Sequence, residues 1–309
     1  MAGGASLAPA SRPLLPQLPG QTLAGVATVS LMPETNAWPT MVCDLRFFPI
    51  AGKPTTLTGE QVARFNRDGY IFPIDLFNAR EAQRKRAYFD KLIAMAAADG
   101  GNSYAINGWH GSCRGLYDLV INKTILDYVQ DIIGPDIVCR MTHYFAKDPG
   151  DAMSVYWHQD ASFWALTPSK VVTVWLAIDD ADEENGAMRL YRGSHRHGII
   201  PFEWVTDEES GVLNQHVHHP ERFGEPVSVN LRAGQCSLHT NMLLHGSLPN
   251  PSQRRRCGLT IRYFPPEVRT NAGSDGAPAS RDAIICRGSD PTGYWQHIEP
   301  PEGDSPPAA

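Results

Sequence analysis

The sequence predicts a mainly β protein in which helices come first and a β-sandwich or barrel follows, with a jelly roll as the closed form of that arrangement. Two observations predict this order. Capped helical segments fill the first part of the folded region, and seven short runs rich in Val, Thr and aromatic residues fill the second. Turn residues separate these runs, for example Pro149-Gly150 and Asn185-Gly186, and no helical segment intervenes.

Capping signals place the helices. Thr58 is followed three residues later by Gln61, and Asn78 by Glu81, and each pair forms a capping box at the start of a helix. A third helix is predicted over residues 124–133. The residues placed to end the three helices are Gly69, Gly100-Gly101 and Gly134-Pro135. The predicted strands cover residues 137–147, 154–160, 171–179, 187–194, 226–231, 234–240 and 257–264.

Composition divides the 309 residues into three parts. Residues 1–50 are rich in Pro, Gly and Ala and predict an extended or flexible N-terminal segment. Residues 51–268 predict one folded domain, and residues 269–309 predict a Pro/Gly-rich C-terminal tail that adds little to a core. The six cysteines show no CxxC pair, which favours free thiols in a reducing cytoplasm.

The charge balance excludes several classes of partner. A net charge of −6 disfavours nucleic acid and anionic membranes, since both need a basic surface. The chain contains no run of about eighteen apolar residues, which a membrane span needs, and its start does not resemble a secretory signal. We therefore expect a cytoplasmic monomer or homodimer that acts on a small molecule.

The stretch WHQDASFW, residues 157–164, carries the first candidate site. In a strand, His158 and Asp160 point to the same face because side chains alternate with a period of two. A neutral imidazole and a carboxylate suit Fe(II), and a second histidine would complete a facial triad that leaves positions open. The pair alone is a weakly specific signal.

Two later histidines compete for the third place. His245 follows an apolar run and precedes a Gly-Ser turn, which predicts a strand end that faces the cavity. His239 lies six residues earlier, so an unbroken strand would put both histidines on one face. The spacing alone leaves both open.

A set of spaced motifs in the chain bears on which of the two histidines is the third ligand. H-Q-D at 158–160 is followed by W-x-A-x-D at 175–179, N-G-x-M-R at 185–189, G-S-H at 193–195 and H-G-S-x-P-N at 245–250. An arginine, Arg256, stands eleven residues after the histidine of the last motif. Together, over residues 55–268, they make the chain resemble the phytanoyl-CoA dioxygenase family of Fe(II)/2-oxoglutarate oxygenases. The resemblance implies a double-stranded β-helix with helices packed outside.

The resemblance also implies the residues of the site. By position, His158, Asp160 and His245 would bind iron, and Arg256 would bind the distal carboxylate of 2-oxoglutarate. Strand alternation agrees, because it places residues 256, 258, 260 and 262 on one face, and a guanidinium binds a carboxylate through two parallel hydrogen bonds. Further implied contacts of the co-substrate are Ser247, His143, Gln159 and Trp175. Some relatives use a lysine upstream of His143, where this chain offers Tyr104 or Asn107 instead.

The implied reaction consumes 2-oxoglutarate and O2 and yields succinate, CO2 and a hydroxylated product. Relatives that halogenate have a small residue at the position of Asp160, so a carboxylate there argues for hydroxylation. A desaturase or cyclase using the same iron chemistry remains an alternative, as does a noncatalytic β-barrel that binds ligands. The sequence shows no specific CoA-binding feature, and we expect a small polar or amphipathic substrate. The candidate substrate contacts are Phe163, Trp164, Trp109, His110, Arg114, Arg189 and Arg262.

Overall fold

The computed structural model describes residues 44–164, 166–205, 211–270 and 280–307. Most of the predicted N-terminal segment, including Cys43, lies outside these residues. Four helices are present in the described part of the chain: α1 (Gly59–Asp68), α2 (Ala79–Ala98), α3 (Arg114–Val120) and α4 (Lys123–Ile133). None of the helices in these ranges is both long and apolar enough to cross a membrane.

The predicted helix signals are confirmed at the N-termini. Thr58 and Asn78 each form the full capping box, with the side chain at the third position bonding back to the cap. Gly69 ends α1 at φ 88°, a backbone conformation that glycine adopts without strain. Helix α3 was not predicted, because only seven residues separate Cys113 from Ile121 and no side chain caps its start.

The strands form two main sheets. Their bounds are β1 (Tyr70–Asp75), β2 (Ile137–Lys147), β3 (Val155–His158), β4 (Leu166–Thr167), β5 (Val172–Ala177), β6 (Met188–Leu190), β7 (Glu203–Trp204), β8 (Gln215–His216), β9 (Val227–Ser228), β10 (Gln235–Thr240), β11 (His245–Ser247), β12 (Arg256–Phe264), β13 (Arg269–Thr270), β14 (Asp282–Arg287) and β15 (Gln296–His297). The order in the larger sheet is β1-β10-β5-β12-β2-β14-β15, and in the smaller sheet β3-β11-β6-β9. The predicted mainly β jelly roll is confirmed, as two facing open sheets and not a closed barrel.

The two faces of the larger sheet have different partners. One face packs against the helices, where Phe89 and Leu116 meet Leu259 and Ile261 of β12 in the largest apolar cluster. The other face meets the smaller sheet, since Trp175 of β5 lies in one cluster with apolar residues of β6. On this inner face β12 carries the buried polar side chains Arg256, Thr260 and Arg262, so the space between the sheets is polar here.

The expectation that the C-terminal residues add little to the core is wrong for residues 280–307. Strand β14 pairs with β2 and extends the larger sheet, and Ile284 and Trp295 are buried. Near the end of the chain, the Asp304 carboxylate accepts hydrogen bonds from Tyr88 of α2 (2.8 Å) and from the Gly115 N–H of α3 (3.1 Å). The sequence prediction missed β14 because proline-rich segments surround its four apolar residues, 283–286.

Candidate metal and co-substrate site

The metal-ligand candidates lie at one end of the β3–β11 strand pair. His158 is the last residue of β3, and His245 is the first residue of β11, directly opposite it in the antiparallel pair. The spacing predicted that Asp160 continues the strand, and this is wrong: Asp160 begins a short 3-10 helix, residues 160–162. The chain turns after His158 and still brings the carboxylate back to the two imidazoles.

The three side chains fit a metal ion. Candidate ligand atoms of His158, Asp160 and His245 all lie within 4.8 Å of one another, and all three residues are buried. The Nε2 atoms of the histidines lie 3.8 and 4.0 Å from the same oxygen of Asp160. Two histidines and one carboxylate converging from one side form the set that suits non-haem Fe(II).

Backbone carbonyls fix the ring orientation of both histidines. The Nδ1 atom of His158 lies 2.7 Å from the Tyr156 carbonyl, and that of His245 lies 2.9 Å from the Leu243 carbonyl. Each Nδ1 therefore carries the proton that it donates, and each Nε2 presents its lone pair to the carboxylate side. Metal-binding histidines are ordinarily held in this way.

Electrostatics keeps Asp160 and His245 in the protonation states that a metal requires. Burial opposes the charged carboxylate of Asp160, but Arg262 and the two histidines outweigh burial and lower its pKa. Burial, reinforced by His158, lowers the pKa of His245 well below its ordinary value. At neutral pH the site therefore offers a carboxylate and a neutral imidazole without first releasing protons.

His239 is not part of this set. Residues 241–244 separate β10 from β11, which belong to different sheets, so no unbroken strand joins His239 to His245. The His239 ring centroid lies 5.2 Å from that of His245, and neither of its nitrogens has a hydrogen-bond partner among the described residues. The structure thus brings His245 to the triad and leaves His239 beside it.

Arg256 opens β12 on the inner face and is only 2% exposed. One guanidinium nitrogen, Nη1, donates to the Phe145 carbonyl at 3.2 Å, and Nε has no partner among the described residues. Trp175 lies beside it, 5.8 Å from the guanidinium carbon to the ring centroid. Gly258 makes room for that ring, because a Cβ at this position would lie 2.1 Å from Trp175.

The other two arginines of the RRR run form ion pairs away from the triad, Arg254 at the surface and Arg255 with a buried carboxylate. Arg254 pairs with Asp182 at 2.8 Å, and Arg255 pairs with Asp179 at 2.7 Å. Arg256 is therefore the member of the run that enters the cavity.

Lys147 is a residue that the sequence reasoning missed. It faces Arg256 directly across the β2–β12 pair and is fully buried, and its ammonium donates to the Met153 carbonyl. Burial, and then the charge of Arg256, lower the pKa of Lys147 to about 7. Arg256 and Lys147 are thus two buried basic side chains on neighbouring strands. The sequence did contain a signal for this position, because Lys147 lies on the same face of the predicted strand as Phe145 and His143.

The remaining co-substrate candidates separate into two groups. Ser247 lies two residues after His245 on the same strand, and its buried hydroxyl has no partner among the described residues. His143 lies on the inner side of β2, where its Nε2 contacts the Tyr104 carbonyl at 2.9 Å. Gln159, however, uses its amide within the fold: it donates to Gly198 O and accepts from Ile200 N at 2.7 Å.

The positions proposed to replace the missing lysine have other contacts. The Tyr104 hydroxyl donates to Asp151 at 2.9 Å, and the backbone of Asn107 bridges to that of His143. Lys147, not either of these two residues, lies opposite Arg256 in the β2–β12 pair.

Three of the predicted substrate contacts lie near the triad. The Phe163 ring meets His158 edge-on, with centroids 5.6 Å apart. Trp164 lies under the guanidinium of Arg262 at 4.7 Å. Arg262 in turn approaches Asp160, with 3.9 Å between Nε and Oδ2.

The other four do not reach the cavity. Trp109 belongs to the helix-side core, and His110 contacts the hydroxyl of Thr142 at 3.0 Å on that same side. Arg114 pairs with Asp118 on the exposed side of α3. Arg189 alternates with inward-facing residues of β6 and therefore points away from the site.

A jelly roll that holds two histidines and a carboxylate on its inner side, with a buried arginine further along, defines the class of non-haem Fe(II)/2-oxoglutarate oxygenases. The sequence profile of the phytanoyl-CoA dioxygenase (PhyH) family matches residues 65–258. The chain belongs to this family, so the prediction of the family is confirmed. The predicted Fe(II) agrees with the two histidines and the carboxylate, which could hold a metal ion.

Two curated relatives illustrate the range of the similarity. The chain is 31% identical over 148 residues to a probable alpha-ketoglutarate-dependent hypophosphite dioxygenase of Stutzerimonas stutzeri, a match that covers 47% of this chain and 51% of that protein. It is 23% identical over 251 residues to the ectoine dioxygenase of Nocardia farcinica, covering 73% and 84%. The chain thus spans about half the length of the first relative.

Solved structures show the same fold. The apo form of ThoJ, a non-heme monooxygenase, shares 30% identity and a TM-score of 0.67, covering 78% of this chain and 88% of ThoJ. CytC3 with Fe(II) and alpha-ketoglutarate, at 24% identity, has a TM-score of 0.57 and covers 78% and 93%. The second likeness concerns the fold alone.

Proposed function

We propose that this protein hydroxylates an unactivated C–H bond of a small polar or amphipathic metabolite, using Fe(II), 2-oxoglutarate and O2 and releasing succinate and CO2. The observation that carries the proposal is the buried His158–Asp160–His245 set together with the buried Arg256 on the inner face of β12. The names of the hypophosphite and ectoine dioxygenases, which denote small polar substrates, support this substrate class.

His158, Asp160 and His245 would hold the iron, and Arg256 would hold the distal carboxylate of 2-oxoglutarate. The bound iron supplies the activation of dioxygen that the side chains cannot perform. The protein contributes positions: a guanidinium fork fixes the orientation of a carboxylate better than a point charge does. Ser247 and Lys147 offer further donors, a buried hydroxyl without a partner and a buried ammonium opposite Arg256.

Two aromatic side chains border these residues and would limit the access of water. Trp175 packs into the space beside Gly258, so it closes the cavity next to Arg256. Phe163 covers the edge of His158. Excluding water strengthens each charge interaction inside the cavity and protects reactive species from side reactions.

Asp160 favours hydroxylation over halogenation. As a third protein ligand it fills the place that a halide would need on the metal, and its second oxygen is held by the Thr173 hydroxyl at 3.4 Å. Desaturation or ring closure begins with the same hydrogen abstraction, so the mass of the product distinguishes these outcomes.

We expect the product to be heavier than the substrate by one oxygen atom, and that atom to come from dioxygen. A metabolite screen scored by succinate release identifies a substrate, and mass spectrometry after reaction under isotope-labelled O2 in chloride-rich buffer then reports the product. Reaction in chloride-free buffer is the control. A chlorinated product would refute the hydroxylase assignment, and a product that has lost two hydrogens would replace it with desaturation or cyclisation.

A further inference from the structure

Arg262 is a buried cation that the proposed function has not used. It lies six residues after Arg256 on the same inner face of β12, but at the Asp160 end of the cavity. Its side chain is 8% exposed, and its Nε has no hydrogen-bond partner among the described residues. The guanidinium stacks on Trp164, which is itself half-buried.

Its contact with Asp160 does not explain this arginine. The 3.9 Å between Nε and Oδ2 exceeds hydrogen-bond distance, and the Thr173 hydroxyl already faces that oxygen. A metal ion held by Asp160 would offset the charge of this carboxylate. Asp160 is the one carboxylate that lies within 4 Å of Arg262 among the described residues, so Arg262 would then have no anionic partner.

The charges of the loaded cavity leave Arg262 in surplus. The loaded site would hold three negative charges, those of Asp160 and the two carboxylates of 2-oxoglutarate. Iron(II) and Arg256 already carry three positive charges, and the buried Lys147 lies opposite Arg256. A positive charge on Arg262 thus has no counterpart, and an unpaired buried charge is costly unless a ligand neutralises it.

We propose that Arg262 binds an oxyanion group of the primary substrate, a carboxylate or a phosphonate, with Trp164 as the wall beside it. Both groups match the guanidinium fork, and the aromatic ring holds the fork in place from one face. This deepens the proposed function and rests on it: the substrate is a small anion whose reacting C–H lies close to its charged group, because Arg262 adjoins a metal ligand.

The test measures anion binding without turnover. The protein is loaded anaerobically with Fe(II) and saturating 2-oxoglutarate, which occupies Arg256, and is titrated with methylphosphonate, acetate or uncharged acetamide. The thermal midpoint reports binding, since a ligand of the native state raises it. The visible absorption band of the iron–2-oxoglutarate complex reports whether the iron site is intact. Two anions of different shape distinguish a phosphonate site from a carboxylate site.

We expect at least one of the two anions, but not acetamide, to raise the midpoint of the unaltered protein saturably. Arg262→Gln should weaken that response by about tenfold or more while it keeps the visible band, and Arg262→Lys should respond in between. Arg222→Gln is the matched control, because Arg222 also stacks on an aromatic ring, Phe223, but is exposed at the surface.

Three results would overturn the assignment: no response of the unaltered protein to either anion, an undiminished response of Arg262→Gln, or loss of the visible band in both Arg262 variants. The last would make Arg262 a positioning residue for Asp160. Absence of the band in the unaltered protein would instead refute the proposed function, and the inference would fall with it.

Discussion

Replacing His158, Asp160 or His245 with alanine is expected to reduce succinate formation below detection and to remove the visible band of the anaerobic iron–2-oxoglutarate complex. Each residue supplies one of three atoms in a set that spans 4.8 Å. Losing a ligand should cost more than the about 10- to 100-fold losses that follow when only a supporting residue is changed. Succinate assay and anaerobic absorption spectra check this result.

Two histidine variants serve as controls for the triad. His218→Ala changes an exposed histidine that pairs with Glu203, and it should leave both measurements unchanged. His239→Ala removes the buried neighbour of His245 and should keep the visible band. The assignment of the third ligand would be wrong if His245→Ala kept the band and His239→Ala lost it.

Arg256→Ala is expected to raise the concentration of 2-oxoglutarate needed for half-saturation by well over tenfold, with little change in iron affinity. Removing one partner of a buried, hydrogen-bonded charge pair costs about 2–5 kcal/mol. The effect should exceed that of a surface arginine because Arg256 is buried and its Nε is unpaired among the described residues. Titration of the visible band with 2-oxoglutarate at fixed iron measures the change.

Arg254→Ala is the matched control, since it removes an adjoining arginine that pairs with Asp182 at the surface. It should leave the 2-oxoglutarate requirement unchanged. If Arg256→Ala bound 2-oxoglutarate as tightly as the unaltered protein, the co-substrate carboxylate would have to lie elsewhere in the cavity, with Lys147 as the next cation.

Local signals in the sequence were sufficient for the helix starts and the main strands. Thr58 and Asn78 specify their capping boxes through residues three positions away, and residues 256–262 of β12 alternate between polar residues or glycine and apolar residues. Strand β1 was not predicted because it is short and contains Pro73, and because its pairing with β10 depends on residues far along the chain. Strand β14 was not predicted because proline and glycine dominate the residues around it.

The site shows the same division. The metal-ligand residues could be named from spaced motifs, but their geometry could not, since Asp160 reaches the histidines through a turn after β3. The contacts of individual side chains could not be predicted from the sequence either. Gln159 stands inside the motif yet bonds to residues near 200 in the chain, and Lys147 gains its place from its register with Arg256.

Anaerobic titration of the unaltered protein with Fe(II) and 2-oxoglutarate tests the central claim most directly. Neither component alone should give the weak visible band, and both together should give it with one iron and one 2-oxoglutarate per chain. Protein that binds Fe(II) and 2-oxoglutarate without producing the band, or that binds neither, would contradict the assignment of His158, Asp160, His245 and Arg256 to one oxygenase site.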